Sequence, residues 1–176
     1  MRKTIMFLAA IVLMVGFTST VMAQVTESNN ANAVIITPIT LTVDVPLEFG
    51  NLAVQAGVAG TVELTAAAAT VATPTAGVTL LTGTTRTAAQ YTVGGVASYV
   101  YTITVPADGV VSITDGTNLM DVSSFTFASV EAPSVTGGTL TAGGTDVFYV
   151  GATLEVDAAQ APGTYTGTFD VTVNYN

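Results

Sequence analysis

From residue 34 onward the chain repeats one pattern: short runs rich in Val, Ile, Thr, Phe and Tyr, broken by Gly, Pro, Asp and Asn. The runs cover residues 34–45, 61–67, 77–81, 89–93, 98–105, 109–114, 123–130, 146–158 and 163–176. Between them stand turn signals such as Glu48-Phe49-Gly50-Asn51, Thr73-Pro74, Gly94-Gly95, Pro106-Ala107-Asp108-Gly109, Asp115-Gly116, Gly137-Gly138, Gly143-Gly144 and Ala161-Pro162-Gly163. β-branched runs at this spacing predict an all-β sandwich or barrel. Residues 65–77 are the one Ala-rich, helix-tolerant piece, but their Thr and Val content and Pro74 favour strand followed by loop. Thr-x-Thr pairs recur without a fixed period, so the pattern is not that of a solenoid.

Parity within the runs assigns faces. In the last run Tyr165, Phe169, Val171, Val173 and Tyr175 share the odd side with two glycines, while Thr, Asp and Asn occupy the even side. Period-two alternation predicts a strand with one buried face. The run 98–105 has an apolar odd side and an even side that is mostly Thr, and Phe148-Tyr149-Val150 is apolar on both sides, which predicts a central strand. Thr-lined outer faces explain how a chain with 9% charged residues presents a polar surface.

The first residues read differently. Arg2 and Lys3 precede an apolar run from Ile5 to Phe17, and Val21-Met22-Ala23 supplies small residues before Gln24, the pattern of a cleaved export signal over 1–23. The apolar run is short of the roughly 20 residues a spanning helix needs. Polar residues 24–33 then predict a flexible N-terminal arm, followed by a single domain over 34–176 with no membrane span. Export places the protein in the periplasm, on the cell surface or in the medium.

Charge and inventory narrow the function. Twelve acidic residues face three basic ones, of which only Arg86 lies beyond the signal, and the formal net charge is −9. Nucleic-acid binding needs several phosphate-contacting cations and is excluded. The chain has no Cys, so stability comes from core burial, which a domain of about 150 residues supplies without disulfides. With no His and no Cys, the commonest acid–base and nucleophilic groups are absent and zinc and copper lose their usual ligands. No catalytic residue, cofactor or metal site is expected.

The remaining candidates have plainer readings. Glu155 and Asp157 fall on one strand face about 7 Å apart, the arrangement of an outward solvated pair rather than of two carboxylates from separate elements across a cleft. Asp115-Gly116-Thr117-Asn118 has calcium-ligand residue types but reads as a hairpin turn, as does Asp108-Gly109. Arg86 sits in a Thr-rich stretch that reads as an exposed loop. The six tyrosines fall mostly on alternating strand positions, which suggests packing rather than a sugar-stacking platform. The Thr-x-Thr face is too irregular for ice binding.

Leu47-Glu48-Phe49-Gly50, Tyr91-Thr92-Val93-Gly94-Gly95, Val150-Gly151-Ala152-Thr153-Leu154-Glu155-Val156 and the ending Ala161-Pro162-Gly163-x-Tyr165-x-Gly167-x-Phe169-x-Val171-x-Val173-x-Tyr175-Asn176 stand in an order that resembles the bacterial domain of unknown function 4402. The resemblance runs from about Ala31 to Asn176. More distantly the chain is similar to spore coat protein U and to chaperone–usher pilin domains. That likeness implies an immunoglobulin-like, pilin-like antiparallel β-sandwich lacking its last strand, completed by a neighbour's arm or a periplasmic chaperone through β-strand addition. Many pilins carry a disulfide, which this chain cannot form.

Two functions follow as expectations. One is a fimbrial or surface-coat subunit, a homo-polymer built by donating Ala31, Ala33 and Ile35 to an edge formed by Tyr165, Phe169, Val171, Val173 and Tyr175. Pro38 is a difficulty for that strand, because proline lacks the donor a central strand needs: either donation uses the segment before Pro38, or the proline marks the break between arm and first strand. The other is a self-complete monomeric binding domain in which residues 31–43 pair within their own chain.

Overall fold

In a computed structural model the described residues are 24–131 and 136–176. The export signal expected over 1–23 lies outside them. The chain divides into two units, Met1–Ile35 and Ile36–Asn176. In the first, residues 24–35 are exposed and carry no regular secondary structure. The second holds every strand described below.

The all-β expectation holds, with antiparallel pairing throughout. In chain order the strands are β1 (Thr40–Val45), β2 (Leu52–Val54), β3 (Gly60–Leu64), β4 (Ala72–Pro74), β5 (Val78–Leu80), β6 (Ala89–Gly94), β7 (Val100–Thr104), β8 (Val111–Thr114), β9 (Leu119–Ser129), β10 (Gly137–Thr139), β11 (Thr145–Val156) and β12 (Thr172–Tyr175). Seven of them form one sheet, β10-β7-β12 form a second, and β2-β5 a third.

β11 is the spine of the large sheet. Its first half pairs with β6 and its second half with β3 along one edge, while β9 pairs along the other and carries β8 outside it. β11 is paired along both edges, and in the run predicted to be central Phe148 and Val150 are fully buried on one face, whereas Tyr149 on the other face is only half-buried. At the point where β6 gives way to β3, the backbone of Leu64 to Ala66 crosses directly over Gly151. A side chain there would collide with main chain, so glycine is required.

Two runs are shorter than their patterns suggest. The 34–45 run becomes a strand only at Thr40, because Pro38 removes a ladder donor. The terminal run keeps its parity, odd residues half-buried from Tyr165 onward except Gly167 and even ones exposed, but only Thr172–Tyr175 pairs, with β7. The register Thr172↔Thr104 would next set Asp170 opposite Pro106, which has no N–H to give. Upstream, Thr166 makes a single bridge to Thr114 of β8. Three short strands escape the pattern altogether: β2, β4 and the Gly-Gly-Thr strand β10.

The core is two clusters. Val62, Leu64, Met120, Val122, Leu154 and Val156 centre one; Tyr91, Val93, Tyr101, Leu140, Phe148 and Val150 centre the other. Phe125, Phe169 and Leu47 pack against both. Tyr91 stacks on its register partner Phe148 with ring centroids 5.1 Å apart and planes 10° from parallel. Burial, with the Asp170 carboxylate adding to it, raises the Tyr91 phenol above its ordinary pKa.

Candidate functional site

The residues around the terminal run leave a groove of about 860 Å³. One wall is residues 46–54 and the other residues 160–169; Val111, Ile113, Met120, Val122 and Leu154 form its floor. The floor residues lie in or against the first core cluster and are themselves largely covered: Val111, Met120, Val122 and Leu154 are 8%, 7%, 2% and 2% exposed, and Ile113 is half-buried.

Local chemistry sets the first wall. Glu48 exchanges backbone hydrogen bonds with Thr87 at 2.9 and 3.0 Å, which turns Leu47 and Phe49 onto the core side. Gly50 then adopts φ +71°, and a Cβ on it would lie 2.9 Å from both Thr84 Oγ1 and the Thr85 carbonyl. The half-buried Arg86 donates from Nη2 to the carbonyls of Asn51 at 3.0 Å and Leu81 at 2.8 Å. Arg86 is therefore not the free loop cation its Thr-rich context suggests; it ties β2's approach to β5's exit and braces the wall.

The second wall is the terminal run. Tyr165 is pinned by its hydroxyl, which donates to the Ala161 carbonyl at 2.8 Å and accepts from Gln160 Nε2 at 2.7 Å. Phe169 tilts against Phe125 with centroids 5.1 Å apart. Thr166 N–H and C=O both bond Thr114, at 2.9 Å each, toward β8. In extended backbone, successive residues point their polar groups to opposite edges. Tyr165, Gly167 and Phe169 thus turn theirs away from β8, to the groove side, and residues 167–171 belong to no ladder. A smaller hollow of about 310 Å³, lined by Val105, Pro106, Val110 and Asp170 among others, opens beside the same stretch.

The far end of the run is closed differently. The Tyr175 hydroxyl accepts Val96 N–H at 2.8 Å and donates to the Thr37 carbonyl at 3.0 Å. Val171, Val173, Tyr175, Ile39 and Leu41 pack on the second cluster together. Of the edge residues singled out from the sequence, Tyr165 and Phe169 line the groove, whereas Val171, Val173 and Tyr175 do not. Of the proposed donor residues, Ala31, Ala33 and Ile35 are all exposed and outside any strand. Residues 31–39 make no ladder, while Thr40–Val43 pair with the chain's own β6. The groove wall at Leu47–Val54 went unrecognised in the pattern; the Leu-x-Phe-Gly segment was its one signal.

The polar candidates resolve into structural roles. Asp115 Oδ1 accepts from Thr117 N–H at 2.8 Å and Asn118 N–H at 2.7 Å, and Gly116 has φ +95°, so the stretch is the turn between β8 and β9. The Asn118 backbone and side chain, then Thr117 N–H, hold the Asp115 carboxyl down at about 2. Glu155 accepts from Ser123 Oγ at 2.5 Å, and neither it nor Asp157 lines the groove. Tyr99 meets Tyr175 edge-on at 70°, which makes no flat stacking platform. Among the described residues no cluster of three or more His, Cys, Asp or Glu could hold a metal, and no helix is long and apolar enough to cross a membrane.

Neither the curated proteins nor the solved structures yielded a match to this chain. The model of one family, described as a domain of unknown function, DUF4402, matches residues 39–175. That span takes in both groove walls, the spine strand β11 and the terminal run, and the chain belongs to the DUF4402 family.

Proposed function

We propose that this protein is an exported, non-enzymatic structural subunit of a bacterial surface fibre or coat, assembling by β-strand addition. The carrying observation is the backbone edge of Tyr165, Gly167 and Phe169, which has no ladder partner and borders an apolar groove. An edge without a ladder partner invites pairing with another chain, and proteins either cover such edges or use them. β-strand addition uses them: main-chain hydrogen bonds give affinity, and alternate side chains fill the groove. In this reading the fold is a pilin-like, immunoglobulin-like sandwich short of one strand. The missing strand comes from a second copy or, before assembly, from a periplasmic chaperone.

The test is assembly itself. Protein recovered from the native cell surface should run as a ladder that resists mild detergent, and deletion of residues 24–36 should abolish the ladder while leaving the circular dichroism of the domain unchanged. Clean monomers at the native surface would sink the proposal.

One observation favours a second reading, a self-complete monomeric domain. β1 pairs with β6, and Thr37 meets Tyr175, so the chain covers part of its own terminal run. Under that reading neither the full chain nor the deletion forms a ladder.

A further inference from the structure

Two turn motifs of the chain, Asp108-Gly109 and Asp115-Gly116, hold the parts of a reaction that needs no partner. The glycine nitrogen of such a link stands next to the aspartate Cγ, and glycine has no side chain to shield it. We propose that Asp108 is a site of spontaneous isomerisation to isoaspartate, with Gly109 N as nucleophile, Asp108 Cγ as electrophile and Ser124 N–H as donor to the oxygen that takes up charge, and that Asp115 is locked against the same reaction.

The step balances with water alone. Gly109 N attacks Cγ of the neutral carboxyl; the N–Cγ bond forms, the Cγ–Oδ2 bond breaks, and the amide proton departs with that hydroxyl as water. A second water opens the resulting succinimide ring. Attack at the former main-chain carbonyl breaks its bond to Gly109 N, which leaves the chain joined through Cγ and a new carboxylate on Cα. Attack at Cγ restores aspartate. Nothing is oxidised or reduced.

The geometry at Asp108 suits each part. Asp108 and Gly109 are both exposed. Gly109 has φ +74°, with nothing within 4 Å of where a Cβ would stand, so the ring has room to close. Asp108 Oδ1 accepts from Ser124 N–H at 2.6 Å. The oxygen that becomes negative during the attack is thus already held by a backbone donor, the arrangement that favours acyl transfer. Among the described residues neither Asp108 Oδ2 nor Gly109 N–H has a hydrogen-bond partner, so leaving group and nucleophile are both free.

Asp115 has the same residue pair and the same room, since Gly116 at φ +95° also has nothing within 4 Å. Its atoms are taken. Oδ1 accepts from Thr117 N–H at 2.8 Å and Asn118 N–H at 2.7 Å, and Oδ2 accepts from Asn118 Nδ2 at 2.9 Å. Gly116 N–H is given to Thr114 Oγ1 at 2.9 Å. Donors to both oxygens keep the carboxyl ionised down to about 2, so the neutral form with a departing hydroxyl is scarce.

Isomerisation at Asp108 lengthens the main chain by a methylene and takes the side-chain carboxylate away from Ser124. The turn between β7 and β8 is then untied from β9. Val105, Pro106 and Val110 of that turn line the smaller hollow beside Phe169 and Asp170, so the change reaches the terminal run.

The full chain is kept warm in mildly acidic oxygen-18 water, folded in one sample and in urea in another, then digested and read by mass spectrometry with electron-transfer fragmentation. Each ring that opens takes up one heavy oxygen. In the folded sample, label and isoaspartate should accumulate at position 108 at least about tenfold faster than at 115, because each unit of carboxyl depression makes the neutral form tenfold scarcer. In urea, where both turns are lost, the two rates should converge. Equal labelling in the folded sample, faster labelling at 115, or no isoaspartate at 108 overturns the assignment. Hydrogen exchange reads the consequence: the Ser124 amide should lose protection in the isomerised fraction, and unchanged protection overturns the untying of the turn.

Discussion

The Tyr101 hydroxyl donates to Asp146 Oδ2 at 2.8 Å, joining the small sheet to the large one through the interior. Tyr101 is fully buried and Asp146 is 2% exposed. The same carboxylate oxygen accepts from Ser129 Oγ at 2.6 Å, and Oδ1 accepts from Val147 N–H at 2.7 Å. Three strands, β7, β9 and β11, thus converge on one buried acid whose lone pairs are satisfied by neutral donors. Buried polar groups are tolerated on that condition, and removing one partner leaves the full desolvation penalty behind.

Tyr101→Phe should destabilise the domain by about 1–3 kcal/mol in urea unfolding, because Asp146 then loses a buried donor. The pH dependence has a definite sign. Burial first, then the hydrogen bond and charge of Asp146, push the Tyr101 phenol well above its ordinary value of 10.0. Above that pH the unfolded tyrosine releases its proton and the folded one does not, so stability is intact below about 10 and falls as pH rises beyond it. Tyr101→Phe should flatten that alkaline decline.

The turn at Asp115 responds at the opposite end of the scale. Its folded carboxyl is depressed to about 2 from an ordinary 3.8. The contribution is present above 3.8 and is lost as pH falls through about 2. A carbon-detected NMR titration should place the Asp115 midpoint near the lower value. Asp115→Ala should abolish that titration and loosen amide protection in the β8–β9 hairpin.

Gly50→Ala tests the first groove wall. The residue has φ +71°, and its new Cβ would lie 2.9 Å from main chain and side chain of the 84–85 segment. A loss of about 1–3 kcal/mol is expected from the strained backbone, read from chemical denaturation. Gly57, at φ +80° with open space around it, serves as the control, and its alanine variant should cost less.

Phe169→Ala removes a side chain that packs on both core clusters and touches Phe125. Buried Phe→Ala changes cost about 3–5 kcal/mol, and the half-buried Phe169 should cost about half of that. Thermal unfolding measures it. Phe169→Leu should recover most of the loss, because the contact is apolar filling and not a specific ring geometry.

Much of the architecture was legible in the chain's alternation. Tyr165 to Tyr175 kept the predicted parity; Phe148 and Val150 landed at the centre of the main sheet; Asp115-Gly116 became a turn. These succeed because side-chain period and turn conformation are local properties. β2, β4 and β10 were not legible, since a three-residue strand exists only where a partner happens to pass alongside it. Arg86 misled for a related reason: its two acceptor carbonyls lie 35 and 5 residues away, and only the folded loops bring them together.

The sequence alone determined an all-β chain with an acidic surface, a core without disulfides, and no His or Cys for catalysis, because composition and period-two patterning are properties of the residues themselves. It also marked the terminal run as one-sided. Only the tertiary structure decided what that side meets. Tyr175 closes against the chain's own Thr37, while Tyr165 and Phe169 border an open groove opposite Leu47 and Phe49. Whether an edge is covered depends on which distant segments pack beside it, and Pro106, by withholding one N–H opposite Asp170, sets where the terminal run leaves its ladder.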